Sequence, residues 1–231
     1  MHCIVWAKEC FKLLFGSRAE SMLNEPLDGP DKSVYMEAVL ATPELVEEAR
    51  GESEMRRQVQ DYCKQVLVAL FATEINKQLS MDKYKGAKHT PEPIDERTIH
   101  ACCVCNDGTV VSPSISGSGW DRRIWTPEEC IREISSCVSD IWLDPVQRAA
   151  LGGLAFDKDD RIAMRFVTAA SNLRSYVFKI PPQSFYDSKG IAGNIIPAIA
   201  TTNAIVAGLQ VVELLKILEG TQSPSTCCHY T

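Results

Sequence analysis

The sequence predicts a mainly α-helical protein, and three features carry that expectation. Apolar residues recur at three- and four-residue spacing through most of the 231 positions, helix-capping residues stand where those runs begin, and between Gly86 and Gly119 only Thr109-Val110-Val111 has strand character. With 45% hydrophobic residues the chain can bury one good-sized core or two modest ones, so a folded protein is expected.

The first helix is read over Cys3 to Phe15 and stops at Gly16, the usual residue for a left-handed helix end. Pro26, Gly29 and Pro30 among acidic residues make Ser17 to Lys32 a surface loop. A second helical run begins at Thr42, with Pro43 and Glu44 in its first turn, and continues past a break near Gly51 through Met55 to Leu79. From Gly86 to Gly119 the pattern dissolves into Pro, Gly, Ser and cysteines, which reads as an inserted loop. Thr126-Pro127-Glu128-Glu129 is a capping box, and the helix it starts turns Cys130, Ile131, Ile134, Cys137, Val138 and Ile141 inward. Asp157-Lys158-Asp159-Asp160 caps a further amphipathic run through Met164, Phe166, Val167, Ala170 and Leu173. After Pro181-Pro182 the texture shifts: Phe185 to Gly193 is a crossing segment, and from Asn194 a helix follows that is apolar nearly all round, with Pro197 in its first turn.

Bulk properties exclude several function classes. A net charge of −6 supplies no clustered cations for a phosphate backbone, so nucleic acid is not an expected partner. The longest apolar stretch, Ile195 to Leu218, carries Asn203, Gln210, Glu213 and Lys216, which are costly in hydrocarbon, so a packed helix is expected rather than a membrane span. The ten cysteines read as reduced thiols of an intracellular protein, because the chain is long enough to fold without staples and no signal peptide precedes them.

His2-Cys3-Ile4-Val5-Trp6-Ala7-Lys8 resembles the segment just downstream of the catalytic cysteine in the large, thioester-forming subunit of SUMO-activating enzymes, a branch of the ubiquitin-activating family. Three further blocks agree in order: Ser80-Met81-Asp82-Lys83; Asp157 to Asp160 with Phe166 to Arg174; and Ala192 to Ala204. The resemblance implies residues 1–180 as a helical catalytic-cysteine domain lacking its nucleophile, with a divergent loop at 86–119. It implies a crossover loop at 181–193, and at 194–231 a re-entrant helix and the start of a strand of a truncated α/β adenylation domain of Rossmann type. It further implies a role in adenylating SUMO with ATP and forming a SUMO thioester for the conjugating enzyme. The implied partners are the small activating subunit, SUMO and the conjugating enzyme, with no membrane.

The chemistry of that family is only partly present. No G-x-G-x-x-G follows a strand, the family nucleophile would lie upstream of Met1, and the paired C-x-x-C zinc ligands would fall outside the chain. ATP, magnesium and structural zinc are therefore expected of the parent enzyme, with no cofactor in this chain, which alone would be inactive. The crossover residues Phe185, Asp187, Lys189, Ile191, Ala192 and Gly193 would hold the modifier's tail, and Asn172, Arg174 and Asn194 belong to family motifs.

Each sharp reading has a plainer competitor. Cys3 is taken as a packed, inert thiol rather than a nucleophile. His100 with Cys102, Cys103 and Cys105 is the densest ligand group, but C-C-x-C is poor zinc spacing, so a loop with exposed thiols is preferred. Cys227-Cys228-His229 reads as the frayed start of a strand. Asn172 and Arg174 read as a helix cap and a surface charge, whereas Asp187 and Lys189 are favoured for modifier contact because connecting segments often carry recognition. The alternative function is a non-enzymatic module that docks SUMO, the conjugating enzyme or the small subunit; a metal-binding protein built on the Cys102 cluster is a third reading.

Overall fold

A computed structural model describes residues 1–24, 35–40, 51–80, 84, 89–103, 119–193 and 200–220. Among these, every regular element is helical and there is no strand. They divide into two units, Met1–Gly193 and Asn194–Thr231.

In the first unit α1 (His2–Phe15), α2 (Tyr35–Leu40), α3 (Glu52–Val68), α4 (Glu74–Leu79), α5 (Glu96–Cys103), α6 (Pro127–Leu143), α7 (Pro145–Ala149), α8 (Arg161–Val177) and α9 (Phe185–Ala192) follow one another. The bundle is organised around α8, which packs on α6 and α1 and also receives α9, while α3 and α5 pack on α6. Its sequence explains this central place. Ala163, Met164, Phe166, Val167, Ala169, Ala170, Leu173 and Val177 surround it with small and apolar side chains, and all are buried. Phe11 and Phe15 of α1 meet Phe166 edge-on, at centroid distances of 5.7 and 5.4 Å, the arrangement aromatic quadrupoles favour.

Helix ends follow the expected chemistry. Thr126 Oγ1 accepts from the Glu129 N–H at 3.3 Å and Glu129 Oε2 accepts from the Thr126 N–H at 2.8 Å, the full capping box. Asp160 accepts from the Ile162 N–H at 2.9 Å to start α8. Gly51, with φ of +146°, precedes α3 and marks the break expected there. Between α3 and α4 the chain widens into a π turn, Ala69–Thr73, where the Phe71 carbonyl accepts from the Ile94 N–H at 3.0 Å.

Three expectations are corrected. Gly16 is not left-handed: its φ is −103°, and it is required because an added Cβ would lie 2.5 Å from the Leu154 carbonyl oxygen. That close approach exists because the N–H groups of Gly152 and Leu154 both donate to the Phe15 carbonyl. Part of the supposed loop at 86–119 is helix α5, whose Ile99, Cys102 and Cys103 share one face and bury it, so two of the thiols read as exposed, Cys102 and Cys103, are interior. The crossover, read as a loop, is helix α9: Ser184 Oγ accepts from the Asp187 N–H at 3.1 Å and caps it. The helix expected from Thr42, the strand-like Thr109-Val110-Val111, and Met81 to Lys83 lie outside the described residues, as do Cys105, Asn194, Cys227, Cys228 and His229.

In the second unit α10 (Ala200–Leu218) is a nineteen-residue helix on which Ile205, Val206, Val211, Val212, Leu214 and Leu215 are exposed. No helix among the described residues is long and apolar enough to cross a membrane.

Candidate functional site

The N-terminal end of α1, the C-terminal end of α8 and the connection into α9 meet at one place, where Cys3 stands and where Asn172 is bonded to Gln183. A cavity of about 220 Å³ opens between Cys3, Ile4, Ser171, Ser175, Ile180 and Gln183, with Met1, His2 and Pro181 completing its wall. Cys3 is buried against α8, as a packed thiol should be.

Asn172, expected as a helix cap, is instead a buried latch. Its amide nitrogen donates to the Gln183 carbonyl at 2.7 Å and its oxygen accepts from the Gln183 N–H at 2.8 Å. Both backbone groups of one residue are satisfied by one side chain, which fixes where the chain leaves α8 for α9. The other end of α9 is held by Lys8, whose Nζ donates to the Ala192 carbonyl at 3.2 Å while lying 4.9 Å from the Phe156 ring centroid. The crossover is thus tied to α8 at its start and to α1 at its end.

Arg174, expected as a surface charge, is largely buried against aromatic rings. Its guanidinium carbon lies 4.5 Å from the centroid of Trp6 and 4.8 Å from that of Phe178. Burial lowers its proton affinity, while the thiols of Cys3 and Cys10 act in the opposite direction; it stays charged at any ordinary pH.

The crossover candidates separate by what they touch. Phe185 packs against Trp120 and Trp125, with centroids 4.8 and 6.1 Å away, and Ala192 is buried. Ile191 is partly buried against the core, and Gly193 ends α9. Asp187 accepts from the Ser184 hydroxyl at 2.6 Å within the cap, and Lys189 pairs with Asp159 at 3.0 Å. Sequence reasoning passed over Tyr186, which is 62% exposed and carries Arg122 at 5.5 Å from its ring centroid. It also passed over Lys8 and Gln183, whose roles depend on contacts more than ten residues away in the chain and leave no local signal.

Three interior thiols, those of Cys10, Cys130 and Cys137, are held in the protonated form by burial. Burial pushes the thiols of Cys10 and Cys137 up to about 12 and raises that of Cys130 as well. Cys63 and Cys103 face each other in the core, and their mutual contact raises the first and lowers the second. Among the described residues no group of three His, Cys, Asp or Glu side chains is placed to hold a metal ion. Cys102 and Cys103 spend their side chains on the α5 interface, and His100 stays at the surface.

Comparison with known proteins agrees with this architecture. The family described as "Ubiquitin-activating enzyme, SCCH domain" matches residues 52–189, which run from the start of α3 into α9. The chain is 34% identical over 226 residues to SUMO-activating enzyme subunit uba-2 of Caenorhabditis elegans, covering 95% of this chain and 38% of that protein. It is 31% identical over 224 residues to SUMO-activating enzyme subunit 2 of Dictyostelium discoideum, covering 95% and 33%. A shorter match, 54% over 67 residues, joins 28% of this chain to 6% of ubiquitin-like modifier-activating enzyme 1 of Oryctolagus cuniculus. The chain belongs to the ubiquitin-activating enzyme family and carries its helical SCCH domain. It spans between a third and two fifths of the length of the two SUMO-activating relatives.

Proposed function

We propose that the chain is the helical, thioester-handling part of a SUMO-activating enzyme large subunit. The observation that carries this reading is that two SUMO-activating subunits match 95% of this chain, with the family domain covering the bundle from α3 into α9. In this reading the whole enzyme adenylates SUMO with ATP, captures it as a thioester and passes it to the conjugating enzyme. The small subunit completes the heterodimer, in the nucleus or the cytoplasm.

The nucleophile belongs to the segment leading into His2, and the α1–α8 end with its cavity is the surface beside which the thioester forms. Phe185, Asp187, Lys189, Ile191, Ala192 and Gly193 lie along the path of the modifier's tail, with Asn172 and Lys8 holding α9 in place. Asn172, Arg174 and Asn194 are assigned to the same motif-bearing region. The 194–231 segment is assigned to the adenylation domain. ATP, magnesium and zinc are not fitted by the residues described: no glycine-rich turn is available to cradle phosphates, and no side-chain cluster would hold a metal. Those groups are assigned to the rest of the enzyme, and this chain's residues position and bind.

The test is a thioester assay with ATP, magnesium, SUMO and the small subunit, on this chain and on a version extended upstream through a cysteine and a nucleotide-binding domain. A thiol-sensitive adduct on a non-reducing gel from the extended form only is the expected result. An adduct on this chain alone would make an internal cysteine, with Cys3 foremost, the nucleophile. No adduct from either form would favour the second reading, a binding module without chemistry of its own.

A further inference from the structure

Arg174 is a largely buried cation with no anion beside it among the described residues. Its contacts are the rings of Trp6 and Phe178, and among the described residues neither a carboxylate nor a carbonyl accepts from its guanidinium. The titratable groups that act on it most strongly are Cys3 and Cys10 from α1, Tyr35 from α2, and Tyr84, none of them a carboxylate. Other cations in the bundle are matched differently: Arg165 meets Glu133 at 2.6 Å, Arg123 meets Glu129 at 2.7 Å, and Lys12 meets Glu9 at 3.1 Å. Removing a guanidinium from water without supplying acceptors for its donors is unfavourable, so a fold that keeps one so placed has left a binding capacity unfilled. The two rings fix its orientation, which leaves the planar fork preorganised for a bidentate partner.

We propose that Arg174 is a recognition residue for a single carboxylate on a polypeptide partner that docks where the N-terminal end of α1 meets the C-terminal end of α8. The inference rests on the reading of this end as the place where a modifier is handled. Charge complementarity favours a carboxylate over a phosphate. Lys8, the nearby lysine of α1, is already committed to the Ala192 carbonyl, so among the described residues one positive charge is on offer, whereas phosphate sites gather several donors. The adjoining cavity between Cys3, Ile4, Ser171, Ser175, Ile180 and Gln183 is lined mostly by apolar atoms, which suits the body of a peptide side chain.

The experiment is an NMR titration of this chain with nitrogen-labelled arginine, following the side-chain Nε–H signals. The Arg174 signal is identified by its disappearance in Arg174→Lys and by its proximity to the Trp6 ring. Sodium acetate, sodium chloride at matched ionic strength, inorganic phosphate and an acidic peptide are the probes. The expected result is a saturable shift at Arg174 with acetate, tighter with the peptide, and several-fold larger than at Arg161 or Arg122, which lie against rings at the surface. Equal responses to acetate and chloride, or equal responses at the three arginines, would overturn the proposal. A stronger response to phosphate than to acetate would overturn the carboxylate assignment. If Arg174→Lys does not fold, the wild-type titration decides by itself through its internal controls. A saturable acetate shift in a protein whose extended form makes no thioester keeps this inference and removes the functional reading; thioester formation with no acetate response does the reverse.

Discussion

Arg165 and Glu133 form an ion pair in the middle of the α6–α8 interface. The Nε of Arg165 donates to Glu133 Oε2 at 2.8 Å and a second nitrogen donates to the same oxygen at 2.6 Å, with Ser136 Oγ accepting at 3.2 Å. Glu133 is fully buried, so the pair shares its desolvation cost only while both members are present. Arg165→Met should therefore cost about 3–5 kcal/mol in urea unfolding, because it strands a buried carboxylate, whereas Arg165→Met combined with Glu133→Leu should recover most of that loss. Equal losses in the single and double variants would show that packing volume, not charge, sets the cost. Neither residue stood out in the sequence: a charge on an amphipathic helix reads as solvated, and its burial follows from a partner 32 positions away. The same blindness explains Asn172 and Arg174, which were read from helix position alone and are defined by Gln183 and by the rings of Trp6 and Phe178.

At the scale of the element, caps were the most legible features, because their chemistry lies within a few residues. Thr126 to Glu129 and Asp157 to Asp160 start α6 and α8 as their sequences indicate. Helix α5 and helix α9 escaped notice because each is only eight residues long, too short for periodicity to outweigh neighbouring Pro, Gly and Cys. The α6 cap also makes stability depend on pH. Arg123 at 2.7 Å holds the Glu129 carboxyl below its usual range against a smaller opposing effect of desolvation, with the Thr126 N–H also favouring the charged form. A depressed carboxylate contributes stability above the unfolded-state value, near 4.3, and loses it as pH falls through the lower folded-state value. Glu129→Gln retains the capping geometry and removes the charge. At neutral pH it should cost at most about 1 kcal/mol, since Arg123 is half exposed and water screens the pair. Stability curves of the two proteins should converge as pH drops below the ordinary glutamate range; a gap that persists there would place the effect in the hydrogen bonds of the cap, not in its charge.

On the scale of the whole molecule, the described residues divide at Gly193, and the two parts have opposite surface character. The first unit closes its own core, from Ile4 on α1 to Ala192 on α9, and the family domain falls entirely inside it. The second holds α10, which exposes Ile205, Val206, Val211, Val212, Leu214 and Leu215, more contiguous apolar surface than a helix in water normally presents. Its sequence gave fair warning, being apolar nearly all round, which is the pattern of a helix packed on several sides. The family domain lies within the first unit, so a chain ending at Gly193 should keep the thermal unfolding transition of the full chain to within a few degrees, the shift a fraction of a kcal/mol produces in a domain of this size. The same truncation should abolish the self-association and dye binding that exposed apolar surface produces, measured by sedimentation and by fluorescence of a hydrophobic probe. If the truncated chain instead lost its cooperative transition, α10 would be part of the core that folds, and the assignment of the last segment to a separate domain would fall with it.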